Sequence, residues 1–140
     1  MTTKLSALGR TTLLVRSYDD ALAFYRDKLG FVVLHDATAP NGQRYLHIGL
    51  PGQRGEPPVG LWLLEAVGVD AGLVGCQAGT HPFLILYTDD CRGTARALAA
   101  RGVTIRREPE TADGATFAHI ADLYGNELLI VELPGEGAKE

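Results

Sequence analysis

The chain is 140 residues long, nearly half apolar, and carries a formal net charge of −4. That length suits one domain, or two small modules sharing a core. The weak acidic balance argues against a nucleic-acid partner, which wants a basic stripe. No run of about 18 apolar residues is present to form a membrane-spanning helix. The opening MTTKLSALGR lacks the apolar core of a secretory signal. Cys76 and Cys91 form no C-x-x-C motif. A reduced, cytoplasmic protein is therefore expected, with no membrane partner.

In chain order, TTLLV (Thr11–Val15) reads as a strand. The stretch from Ser17 to Phe31, SYDDALAFYRDKLGF, then places Ala21, Leu22, Phe24, Tyr25 and Leu29 on one helical stripe. Ser17 can cap the helix, and Asp19 and Asp20 suit the positive end of its dipole. Gly30 can supply the left-handed residue that ends it. FVVLHDA (Phe31–Ala37) is a strand, and Asn41-Gly42 signals a hairpin into RYLHIGL (Arg44–Leu50). A Pro/Gly-rich loop, Pro51–Pro58, precedes the strand VGLWLLE (Val59–Glu65).

The order then repeats. Ala66–Gly79 has small residues and little periodicity and reads as a linker. HPFLILYT (His81–Thr88) is a strand, and Asp90 caps a helix running to Arg101, with Gly102 as its stop. VTIRRE (Val103–Glu108), ATFAHIAD (Ala115–Asp122) and NELLIVEL (Asn126–Leu133) are strands, the first two joined by the turn Thr111–Gly114. The domain organisation expected is one domain of two modules, residues 9–65 and 80–133, joined by the linker 66–79.

A duplicated β-α-β-β-β unit carrying ALAFYRDKLGF in its first half and DLYGNELLIVEL near its end resembles the vicinal oxygen chelate superfamily. That superfamily is also called the glyoxalase, bleomycin resistance protein and extradiol dioxygenase group. The resemblance spans Gly9 to Leu133. It implies an α+β fold of two tandem βαβββ modules. Their curled mixed sheet would surround a cup-shaped cavity, with the helices on its outer face. It also implies a homodimer. It does not fix a function, because the superfamily hosts lyases, dioxygenases and metal-free drug-binding proteins.

Enzymes of the superfamily place metal ligands, usually His or Gln and Glu, on the first and last strands of each module. Counted from the helix and glycine landmarks, those positions fall on Arg10, Trp62, Phe83 and Leu129. Arginine keeps its proton and has no lone pair to give, and the other three carry no metal donor. No metal or other cofactor is therefore expected. A divalent metal remains the alternative, if ligands have moved to His47, His81, His119 or Glu127.

Strand alternation assigns a face to each candidate. Arg10, Thr12 and Leu14 share the cavity side of the first strand, and Trp62 and Leu64 that of the fourth. Phe83, Ile85 and Tyr87 lie on the fifth, and Glu127, Leu129 and Val131 on the last. Tyr45 and His47 are placed there on the third. The candidate ligand-binding set is thus Arg10, Thr12, Tyr45, His47, Trp62, Phe83, Tyr87, Glu127 and Leu129, with no catalytic residue assigned. Trp62, Phe83 and Tyr87 could stack on a planar ligand, or simply fill the core. Arg10 could clamp a carboxylate or phosphate with its two-pronged edge, or form an internal ion pair with Glu127. The reading that follows is a metal-free protein that binds or sequesters a small aromatic or anionic molecule. The alternatives are a metal-dependent lyase or dioxygenase with displaced ligands, and a metal-free enzyme anchoring substrate on Arg10.

Overall fold

The computed structural model describes residues 4–55 and 57–135. The elements run β1 (Arg10–Val15), α1 (Tyr18–Tyr25), β2 (Val32–Thr38), β3 (Arg44–Gly49) and β4 (Gly60–Glu65). They continue with β5 (Pro82–Tyr87), α2 (Cys91–Ala100), β6 (Thr104–Ala112), β7 (Ala115–Ala121) and β8 (Glu127–Glu132). The chain divides into two compact units between Ala71 and Gly72. Each unit is one β-α-β-β-β module with its own four-stranded mixed sheet, ordered β1-β4-β3-β2 in the first and β5-β8-β7-β6 in the second. The first and last strands of each module pair in parallel, the helix carries the chain from the first strand to the second at the far edge, and the other ladders are antiparallel. The fold is α+β with tandem modules, as the element order predicts.

In the first unit the buried side chains Leu13, Val15, Leu46, Ile48 and Leu63 alternate with half-buried neighbours, so each strand turns one face inward. Ala21, Leu22, Phe24 and Tyr25 of α1 are buried in the same unit, and Tyr25 meets Phe24 and Phe31 edge-on at 5.2 and 5.3 Å. In the second unit Cys91, Ala95 and Leu98 of α2 are buried, and α2 packs on β6, β7 and β8. Both caps form: Ser17 Oγ accepts from Asp20 N at 3.2 Å and Asp90 Oδ1 from Gly93 N at 3.0 Å.

Several boundaries differ from the sequence reading. The regular turns of α1 end at Tyr25, although Arg26 N and Lys28 N still donate to Leu22 O and Phe24 O at 2.9 and 3.0 Å, and Leu29 N reaches Phe24 O at 3.2 Å. Beyond it, Phe31 N donates to Tyr25 O at 2.9 Å and Gly30 takes φ 85°, so Leu29 lies in a wide closing turn rather than on the helix. The linker holds a 3-10 turn, Gly68–Leu73, which its weak periodicity did not announce. Strand β6 runs on to Ala112, leaving Asp113 and Gly114, both at positive φ, as a two-residue hairpin turn. His81 falls outside β5 and is exposed.

Candidate functional site

The ladders fix which side chains share a face. In the first unit Thr12 lies opposite Trp62, Trp62 opposite His47, and His47 opposite His35. These four make one row across the open side of the sheet, away from the buried alternation. Arg10 and Gly60 start the next row. A bulge at Leu34 lets Val33 pair with Ile48 and His35 with His47. The extra residue leans over two glycines. A Cβ on Gly60 would sit 2.7 Å from Leu34 Cδ1 and 2.5 Å from the backbone Ile48 O, and one on Gly49 2.8 Å from Leu34 Cδ1, so the leucine packs directly over both glycines and the backbone closes the Gly60 position to a side chain. His35 was not among the sequence candidates, because alternation cannot be counted through a bulge.

Arg10 is engaged within its own unit. Its Nε–H donates to His47 Nδ1 at 3.1 Å, and Nη1 donates to the carbonyls of Gly9, at 3.0 Å, and Pro58. It joins none of the ion pairs among the described residues. Glu127 instead meets His119 and Arg106 of its own unit. Because a guanidinium only donates, His47 Nδ1 must be the accepting nitrogen, so the ring is neutral and carries its proton on Nε2. Burial first, then the Arg10 charge, then His35, push the His47 pKa below the ordinary imidazole value. Trp62 is flanked by Tyr45 and His47, with ring centroids 6.2 and 5.6 Å away. Its indole Nε1 is buried and has no hydrogen-bond partner among the described residues.

In the second unit the equivalent row runs Ile85, Leu129, His119, Arg107. His119 therefore occupies in this module the place of His47 in the first. Its Nδ1 lies 3.2 Å from Glu127 Oε2. A carboxylate accepts, so here Nδ1 carries a proton, and in the neutral ring Nε2 keeps a lone pair. Arg106 stands in a bulge equivalent to that of Leu34. Its Nη1 lies 3.8 Å from Glu127 Oε1, and its Nη2 donates to Gly125 O at 3.0 Å. The rest of the face is apolar: Ile85 is 56% and Tyr87 67% exposed, and Phe117 meets His119 edge-on at 6.2 Å. Phe83 stands at a bulge of β5, where the pairing shifts between Pro82 and Leu84. Arg106 and Phe117 were also missed, Arg106 for the same reason as His35.

The structure thus brings Arg10, Thr12, Tyr45, His47 and Trp62 together on the first sheet, and Glu127 and Leu129 together with His119 on the second. Tyr87 sits at the end of β5 beside a recess of about 710 Å³ that also involves Asp89, Glu132 and Pro134. A smaller recess, about 330 Å³, lies on the helical side between α2 and β6. Its Arg92 is tied to Pro109 O at 3.3 Å and Thr111 Oγ1 at 3.2 Å. The motif DLYGN proves to be a turn device: Asp122 accepts from Tyr124 N, Asn126 N and Asn126 Nδ2 at 2.9, 2.9 and 2.8 Å.

Residues 7–130 match the family model described as the Glyoxalase/Bleomycin resistance protein/Dioxygenase superfamily. The chain belongs to this superfamily. An uncharacterized protein from Shewanella frigidimarina (strain NCIMB 400) is 35% identical over 123 residues, covering 86% of this chain and 89% of that protein. Among solved structures, UcmS2 is similar at TM-score 0.76 and 28% identity, with 91% of this chain and 98% of that one covered. TnmS3, an antibiotic binding protein from Streptomyces sp. CB03234, is similar at TM-score 0.76 and 23% identity, with 94% and 99% covered. No helix is long and apolar enough to cross a membrane among the described residues.

The donor chemistry does not fit the metal that many superfamily enzymes use. Arg10, Trp62, Phe83 and Leu129 supply no ligand atom at the four positions the resemblance marks. His47 spends its one lone pair on Arg10. Among the described residues, no group of three or more His, Cys, Asp or Glu side chains is placed to hold a metal ion.

Proposed function

We propose that this superfamily member is a metal-free binding protein that sequesters a small aromatic or anionic molecule on its open sheet faces. The proposed contacts are Arg10, Thr12, Tyr45, His47 and Trp62 on the first sheet, and Phe83, Tyr87, Glu127 and Leu129 on the second. The observation that carries the reading is the replacement of all four expected ligand positions by a cation and three apolar side chains. The aromatic lining is what a small-molecule site requires, and TnmS3, of the same fold, is an antibiotic binding protein. Homodimerisation and a cytoplasmic location belong to the same proposal.

One observation favours a second reading. Glu127 orients His119 with its Nε2 lone pair free, which is how carboxylates prepare imidazoles for metal ligation or for general-base work. A metal-dependent lyase or dioxygenase with displaced ligands would use it. Elemental analysis and native mass spectrometry of protein purified without a metal-affinity tag separate the two. The binding reading expects no stoichiometric divalent metal and no thermal stabilisation by added nickel, zinc, manganese or iron(II). A stoichiometric metal lost in His119→Ala would replace it with the lyase or dioxygenase reading.

A further inference from the structure

We infer that the open face of the first sheet selects planar ligands that bring an anionic hydrogen-bond acceptor, aromatic carboxylates by chemical class. The inference rests on the binding reading above and adds the polarity of what is bound.

Three observations carry it. First, Arg10, His47 and Trp62 present only donors on this face. Accepting from Arg10 Nε fixes the His47 proton on Nε2, so the ring offers an N–H and no lone pair. The planar guanidinium holds one Nη2–H parallel to Nε–H, on the edge that faces His47, and Nη2 has no partner among the described residues. Trp62 adds an indole N–H that is buried and unsatisfied. Such a group carries a desolvation cost until an acceptor reaches it. Second, the charge has no carboxylate partner among the described residues, where Arg10 meets two carbonyls and one imidazole. Of the acids on these strands, Asp36 is held by Arg44 at 3.0 and 2.8 Å. Glu65 pairs opposite Val15, on the alternation that faces inward. A half-buried cation without a counter-ion raises the local concentration of anions. Third, the rings of Tyr45, His47 and Trp62 surround these donors with flat surfaces. A cationic or donor-only ligand would set N–H against N–H, while a carboxylate on an aromatic ring would meet both the donors and the rings.

Trp62 is the chain's one tryptophan, so a single indole N–H resonance in a proton–nitrogen correlation spectrum reports on this face. The probes are 2-naphthoate, 2-naphthylmethanol and 2-naphthylmethylammonium, matched in shape and differing in polarity, with affinities from calorimetry. The acid is expected to bind about tenfold or more tighter than the alcohol, as a charge-assisted hydrogen bond implies, and to move the indole resonance; the ammonium is expected to bind least. In Arg10→Met the advantage of acid over alcohol should fall to near unity. The wild-type ratios stand as a test by themselves if that variant does not fold. Equal affinities for all three probes would overturn the acceptor preference and leave the binding reading intact. Absence of any binding, with the indole resonance unmoved by every probe, would overturn the binding reading on this face and the preference with it.

Discussion

Replacing Asp122 separates a turn device from a functional acid. Its carboxylate is 6% exposed and Asn126 is 3% exposed, so the hydrogen bonds between them lie in the interior. Asp122→Asn keeps the shape and one oxygen. Both backbone N–H groups donate to Oδ1, at 2.9 Å each, so the carboxamide oxygen can retain them. The new amide nitrogen then faces Asn126 Nδ2, donor against donor, in place of a bond of 2.8 Å. The loss is about one hydrogen bond to a charged group, roughly 1.5–3 kcal/mol. Asp122→Ala removes both acceptor oxygens, and with them three hydrogen bonds, and strands both donors of Asn126. At about 1–3 kcal/mol per stranded buried donor, with the Tyr124 amide less buried, the cost is about 3–6 kcal/mol. That is a large share of the roughly 5–15 kcal/mol that typically separates folded from unfolded. Urea denaturation followed by far-ultraviolet circular dichroism measures both variants. Trp62 emission, followed in parallel, reports the first unit by itself and shows whether the two units unfold together. Equal costs for Asn and Ala, or a lost ligand affinity in Asp122→Asn with an unshifted midpoint, would refute the assignment of Asp122 to the turn.

Three further outcomes are expected. The folded pKa of His47 lies below the unfolded value of 6.5, so the unfolded state binds more protons between the two values and stability rises with pH across that window. This contribution is present above 6.5 and is lost as pH falls through the folded pKa; urea midpoints measured across that range should show the slope, and His47→Gln should flatten it. Gly60→Ala is expected to destabilise by about 1–3 kcal/mol through overpacking, because the new methyl meets Ile48 O and Leu34 Cδ1; a Leu34→Ala, Gly60→Ala double variant should recover only the part owed to Leu34, the Ile48 carbonyl being backbone. Burial, then Glu132, push the Cys91 thiol pKa up, whereas Cys76 is exposed. A thiol reagent should therefore modify one cysteine in the folded protein and the second only on unfolding.

Element order and most strand positions were legible, because alternation and helical spacing are properties of the chain itself. Thr12, Leu14, Trp62 and Leu64 alternate with the buried Leu13, Val15 and Leu63, as counting by twos requires. The bulges were not legible. Leu34, the Pro82–Leu84 shift in β5 and Arg106 each reset the alternation through backbone pairing, which leaves little mark on residue type. Hence His35 and Arg106 were missed, and His81 was placed on a strand that begins after it. Arg10 was legible as a cation but not in its partners. The sequence offered a free two-pronged edge or a pair with Glu127. The structure gives it His47 and two carbonyls.

The modules pair their last two strands in one register but treat their central histidine in opposite ways. Leucine over glycine in the first becomes arginine over glutamate in the second, at matching bulge and strand positions: Leu34 with Gly60, Arg106 with Glu127. The cation beside His47 forces its proton onto Nε2, and the anion beside His119 forces its proton onto Nδ1. The first sheet therefore presents an imidazole donor and the second an imidazole acceptor. Long-range proton–nitrogen correlation spectra at a pH where both rings are neutral should show these two tautomers. Glu127→Gln should convert the second. The Arg106 charge, 3.8 Å from the Oε1 side, attracts the amide oxygen there and leaves the amide nitrogen toward His119 Nδ1, which must then accept, moving the proton to Nε2. A ligand proton that His119 accepts in the wild type would meet an N–H in the variant, at nearly unchanged shape. If His119 keeps its Nδ1 proton in Glu127→Gln, Glu127 does not set its polarity, and the second sheet loses its claim to acid–base work.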